Sequence, residues 1–85
     1  MAKPIVLTAH AAMRIRERAI REEWIEATVL SPTWTENDPR DRQVERRFRP
    51  IPEAGNRILR IACVETTFEI RILSAMFDGR ARPKS

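Results

Sequence analysis

The sequence predicts an α+β domain: two N-terminal helices forming a helical hairpin, packed on one face of an antiparallel sheet of three or four strands, in the order α-α-β-β-β-β. Three observations lead there. The chain has 85 residues, enough for one small domain and not for two, so every element must share one core. Apolar residues recur at helical spacing as far as Pro32 and alternate beyond it. Turn-forming residues punctuate the chain at Ser31-Pro32, at residues 37–42 and at residues 50–55.

Residues 4–8 (PIVLT) fit either a short strand or an extended lead-in, and Thr8 is a good N-cap for a helix starting at Ala9. Residues 9–19 (AHAAMRIRERA) are rich in helix formers and contain no Gly or Pro. On a helical wheel Ala11, Ala12, Ile15 and Ala19 share one arc, and His10, Arg14, Glu17 and Arg18 share another. A second helix lies in IREEWIEATVLSP. Glu22 and Glu23 sit in its first turn, where the helix dipole favours acid. Ile25, Thr28 and Val29 keep the spacing of one face, with Trp24 beside them, and Ser31-Pro32 ends the helix.

Residues 33–36 (TWTE) read as the first strand of the alternating part. In residues 43–49, Val44, Arg46 and Phe48 alternate with Gln43, Glu45, Arg47 and Arg49, which predicts a strand with one wet face. Residues 50–55 (PIPEAG) read as a loop. Residues 56–65 and 67–77, full of Ile, Leu, Val and Phe, are the strongest strands. A turn at Glu65-Thr66 would set Leu59 opposite Ile72, Ile61 opposite Ile70 and Cys63 opposite Phe68. The expected apolar face is thus Leu59, Ile61, Cys63, Phe68, Ile70 and Ile72, with Ile15 and Val29 packed on it. The other face would set Arg60 against Arg71, a like-charge pair that costs stability unless Glu69, solvent or a bound anion offsets it. The domain is expected to span residues 1–79, with residues 80–85 as a basic, flexible tail.

Sixteen Lys+Arg against twelve Asp+Glu leave a net charge of +4. The lysines are only Lys3 and Lys84, so the excess is arginine, whose planar fork matches phosphate and carboxylate. An Arg-rich basic domain points to nucleic acid or to an acidic protein partner, against the plain alternative of solubility. No apolar run approaches the roughly 18 residues of a membrane span, and the N-terminus lacks a secretory pattern, so a cytoplasmic protein is expected. The single cysteine, Cys63, excludes an internal disulfide and a Cys-based zinc site; it reads as a buried, inert thiol, and neither metal nor cofactor is expected. Trp24 and Trp34 suit core packing or, if exposed, stacking on bases.

The segment from His10 to Ile20 resembles the opening motif of the DUF4258 family, roughly H-A-x-x-R-M-x-E-R-G-I with a second short helix and three or four strands after it. His10, Ala11, Arg14, Glu17, Arg18 and Ile20 match; Ile15 stands where Met is usual and Ala19 where Gly is usual. Gly would suit a left-handed helix end, so the turn at Ala19 is a point of departure. The ending Phe77-Asp78-Gly79-Arg80 also resembles the family's close. The family is uncharacterised and looks related to the RelE/ParE-like toxin fold, in which several members are small, basic, metal-independent ribonucleases silenced by an antitoxin and others inhibit gyrase. The resemblance therefore implies a toxin-like ribonuclease acting on RNA, with an acidic antitoxin as possible partner.

Metal-independent RNA cleavage needs a base for the 2′-OH, cations for the phosphorane and an acid for the leaving oxygen. His10 titrates nearest neutrality and suits proton transfer. Glu17 suits a base, or orients Arg14 or His10. Arg14 and Arg18, on the same arc, suit phosphate contacts, and Arg60, Arg71 and the tail's Arg80, Arg82 and Lys84 extend that set. The alternative is a non-enzymatic binding module whose Arg-rich face docks an acidic partner protein or nucleic acid. In the plainest reading His10 caps a helix or faces water, and Arg14, Glu17 and Arg18 form a salt-bridged surface.

Overall fold

A computed structural model describes residues 3–83. The elements are β1 (Ile5–Leu7), α1 (Ala9–Glu17), α2 (Glu22–Leu30), β2 (Trp34–Asn37), β3 (Glu45–Ile51), β4 (Arg57–Glu65) and β5 (Ile70–Phe77), with a 3-10 turn at Pro52–Ala54. The α+β class and the α-α-β-β-β-β order from α1 onward are as expected. The sheet is not: it has five strands in the order β1-β5-β4-β3-β2, and it is mixed. β1 lies parallel to β5, with Ile5 beside Ile70 and Leu7 beside Ile72. Three residues are too few to display an alternation, and the partner strand lies at the other end of the chain.

Thr8 caps α1 by accepting the Ala11 amide at 3.1 Å. The helix stops at Glu17, before the expected Ala19. The Ala19 amide bonds Arg16 O at 3.2 Å, and the Ile20 amide bonds Ile15 O at 3.0 Å. This is a Schellman ending, with Ala19 left-handed at φ +53° and Ile20 buried over Ile15. The site where glycine is usual therefore does adopt the conformation glycine suits, and Ala19 bears the strain.

The two helices lean on different strands of one face, α1 on β5 and β1, α2 on β3 and β4, rather than chiefly on each other. The core beneath them holds Ala11, Ile20, Ile25, Val29, Ile51, Leu59, Ile61, Cys63, Ile70, Ile72 and Ala75. Each fully buried Leu or Ile contributes about 1.5–3 kcal/mol relative to exposure. Thr28, buried among them, donates its hydroxyl to Trp24 O at 2.8 Å.

The β4–β5 register corrects the expected hairpin. Thr66 N bonds Glu69 O at 2.9 Å, and Thr66 Oγ1 accepts the Phe68 and Glu69 amides, so the turn spans residues 66–69 and lies beyond Glu65 rather than at Glu65-Thr66. Leu59 pairs with Phe77, Ile61 with Ala75 and Cys63 with Ile72. Phe68, assigned to the apolar face, is instead 82% exposed at the turn. An irregularity at Ala62/Cys63 leaves Leu73 without a partner, so Ile70 and Ile72 share the covered face with Ala75 despite opposite parity.

Arg60 lies opposite Met76 and Arg71 opposite Val64, so the like-charge pair does not form. β3 also differs from expectation: Pro50 and the buried Ile51 belong to the strand, and Arg47 on its supposed wet face is 9% exposed. Arg47 donates to Val29 O at 2.9 Å and Arg49 to Ser31 O at 2.6 Å. These two β3 arginines satisfy carbonyls at the end of α2, a helix with no basic residue in its own last turn. On the opposite face Trp34 stacks on Phe48 with centroids 4.7 Å apart.

Candidate nucleic-acid interface

The α1 residues expected to form one site divide in three. Arg14 Nη1 donates to Glu17 Oε1 at 3.3 Å, an exposed pair. His10 is exposed in the first turn, and its side chain makes no hydrogen bond among the described residues. Arg18 turns towards the sheet and donates to Ala75 O at 2.9 Å. That carbonyl lies where β5 has run past the end of β1, so Arg18 serves a strand edge that no strand covers.

The sheet arginines stand apart from these. Arg60 and Arg71 pair with Met76 and Val64, on the face away from the helices. Arg60 donates to Asp78 Oδ2 at 3.0 Å, and Arg71 Nε donates to Glu69 Oε2 at 2.9 Å. Arg80 is exposed in a turn in which its amide bonds Asp78 Oδ1 at 3.0 Å. Lys84 lies outside the described residues. The described residues chosen from the sequence therefore do not converge on one site.

A different set does converge. Arg18, Arg57, Met76 and Phe77 line a cleft of about 310 Å³. The Arg57 guanidinium carbon sits 4.1 Å from the centroid of Phe77. Phe77 meets Trp24 edge-on, centroids 6.1 Å apart. Arg21 lies over Trp24 at 5.7 Å. Two arginines thus lie on two aromatic rings, Arg21 on Trp24 and Arg57 on Phe77, and Arg18 shares the cleft with Arg57 and Phe77. Among the described residues Arg18, Arg21 and Arg57 form no salt bridge, whereas Arg46, Arg47, Arg60 and Arg71 each do. Glu22, next to Arg21, lines a separate apolar groove with Ile5, Leu7, Ile15, Ile20 and Ile25. Guanidinium groups held on ring faces keep donors available for an incoming anion.

Elsewhere the chemistry is closed. Cys63 is fully buried, and burial pushes its thiol up, away from the reactive thiolate. Among the described residues no group of three or more His, Cys, Asp or Glu side chains is placed to hold a metal ion. No described helix is long and apolar enough to cross a membrane.

The family model described as Domain of unknown function (DUF4258) matches residues 7–77. The chain belongs to this family. No curated protein and no solved structure matches it. The DUF4258 motif has a physical basis in this fold. Ala11 is small because it is fully buried against the sheet, Ile20 closes the helix end, and Arg18 holds the β5 edge. Of the six matching motif residues, His10 alone is exposed with no side-chain hydrogen bond. Sequence reasoning missed Arg21 and Arg57. Arg21 was legible, standing three residues before Trp24, the spacing that stacks neighbours on a helix face. Arg57 needed the true hairpin register, which brings it diagonally onto Phe77.

Proposed function

We propose that this DUF4258 chain is a small cytoplasmic RNA-binding module that binds the RNA backbone, largely without sequence preference, at the Arg18–Arg57 cleft and the adjoining Arg21–Trp24 pair. The observation that supports this is that Arg57 lies over Phe77, Arg21 lies over the adjoining Trp24 and Arg18 lines the cleft with Arg57, none of the three paired with a carboxylate among the described residues. Arginine and aromatic rings together serve both halves of a nucleotide, charge for the phosphate and a flat surface for the base. About three phosphate contacts on a single strand would lower affinity roughly twentyfold between about 50 and 200 mM salt.

The test is an anisotropy titration of a labelled RNA at those two salt concentrations. Arg21→Ala/Arg57→Ala should weaken binding and flatten its salt dependence. Arg40→Ala/Arg42→Ala removes the same charge from exposed positions elsewhere and should weaken binding far less. Equal loss from both double variants would reduce the cleft to net charge alone. No binding at low salt would refute the proposal.

A second reading makes the chain a toxin-like, metal-independent ribonuclease, related to the RelE/ParE-like fold and silenced by an acidic antitoxin. The exposed, unbonded imidazole of His10, one turn from the Arg14–Glu17 pair, favours it. In that case His10→Ala should lose about 10²–10⁴ in cleavage rate with RNA binding retained, and should abolish growth arrest on expression. A folded His10→Ala protein as active as wild type would exclude that mechanism.

A further inference from the structure

We propose that Arg57, laid on Phe77, is a stacking platform for an unpaired base, so that the cleft selects single-stranded over duplex RNA; this rests on the RNA-binding reading above. Arg57 opens β4 and is exposed, yet its side chain is held at two points. The guanidinium carbon lies 4.1 Å from the Phe77 ring centre, and Nε donates to Ala54 O at 3.1 Å. Phe77 is in turn supported edge-on by Trp24. An exposed, flexible side chain is thereby held over a ring as a plate.

The donors left free on such a plate decide its ligand. A carboxylate takes arginine best through a two-point fork. With Nε committed to Ala54 O, the fork that uses Nε is closed. The flat guanidinium suits another flat group, and a nucleobase stacks on a guanidinium plane as it does on a ring. Arg18, in the same cleft, and Arg21, on Trp24, can meet phosphates on either side of that base. A duplex has no base face to offer, because each is already stacked on its neighbours.

The experiment compares a 12-nucleotide adenine-rich single strand with a duplex of equal length, on the full chain at one salt concentration. The single strand should bind about tenfold or more tightly, the scale of one stacking contact. Arg57→Lys keeps the charge and removes the plane. It should lose most of that preference, read as the ratio of single-strand to duplex affinity in the same protein. Phe77→Leu removes the support beneath the plate and should act in the same direction, with thermal melts confirming that both variants fold. Equal affinity of the wild-type chain for the two RNAs, or an undiminished preference in Arg57→Lys, overturns the platform while leaving RNA binding intact. Binding of neither RNA overturns both.

Discussion

Arg57 begins β4 and Glu65, the partner of Arg47, ends it, about 26 Å apart along the strand. Both arginines belong to the face that the helices cover, and α2 passes both, with Trp24 near one and Val29 near the other. Yet the two environments are opposites. Arg47 is buried and every arm is engaged: Nε to Glu45 and Nη2 to Glu65, each at 2.6 Å, and Nη1 to Val29 O at 2.9 Å. Arg57 is exposed, rests on a ring and pairs with no carboxylate among the described residues. The same residue type is a structural tie at one end and an open cationic surface at the other. A basic composition alone therefore says little about binding; what counts is how many arginines have no acid to neutralise them.

The largest expected effect tests the closed end. Arg47→Ala should destabilise the fold by about 2 kcal/mol, because it leaves the helix-end Val29 carbonyl without its donor and empties a buried side-chain site, while Glu65 keeps Lys3 and Glu45 meets solvent. Denaturant unfolding measures this, and RNA affinity at a temperature where the variant is folded should be unchanged. A loss below about 0.5 kcal/mol would mean that the network is not a tie. Arg57→Ala should show the reverse: stability within about 0.5 kcal/mol of wild type and RNA affinity down about tenfold. If Arg57→Ala unfolds the protein instead, the contrast between the two ends fails.

A smaller effect is expected at the turn between Arg18, in the cleft, and Arg21, on Trp24. Ala19 holds φ +53°, so Ala19→Gly should stabilise by about 0.5–1 kcal/mol, the relief of the left-handed strain less the entropy glycine brings to the unfolded chain. An unchanged or lower unfolding midpoint would show that the Schellman ending bears no cost there. The smallest effect is the pH response of Glu65. Hydrogen bonds from Lys3 and then Arg47 hold its carboxyl below the usual range. A lowered folded value means that this stabilisation is complete above the unfolded value, near pH 4.3, and fades as pH falls through the folded one. Melting temperature should therefore drop on acidification below about pH 4.5, and Glu65→Gln should make that drop shallower. Parallel wild-type and Glu65→Gln curves would rule the linkage out.

Much of the fold was legible because it rests on local rules. Thr8 as N-cap, Ser31-Pro32 as helix stop, and the buried Ile25, Thr28 and Val29 are all set by neighbours within a turn or two. The alternation in β4 correctly placed Leu59, Ile61 and Cys63 in the core. The departures in the hairpin have two causes. A turn centred two residues further along the chain than assumed moved Phe68 out to solvent and separated Arg60 from Arg71, and an extra residue in β5 switched its parity at Leu73. The candidate site was less legible still. Of the residues first chosen, only Arg18 lines the cleft.

Short-range periodicity, capping and composition set the two helices and the four strands after them, their order, the covered face of β4, the family motif and the surplus of arginine. Tertiary structure alone decided which arginines are neutralised and which are free. That choice depends on pairings between residues far apart in the chain: Arg47 with Glu65, Arg18 with Ala75 O, Arg57 with Phe77. A guanidinium has the same charge everywhere, and only the group that folding brings beside it, a carboxylate or a ring, settles whether that charge is spent within the fold or left for a ligand.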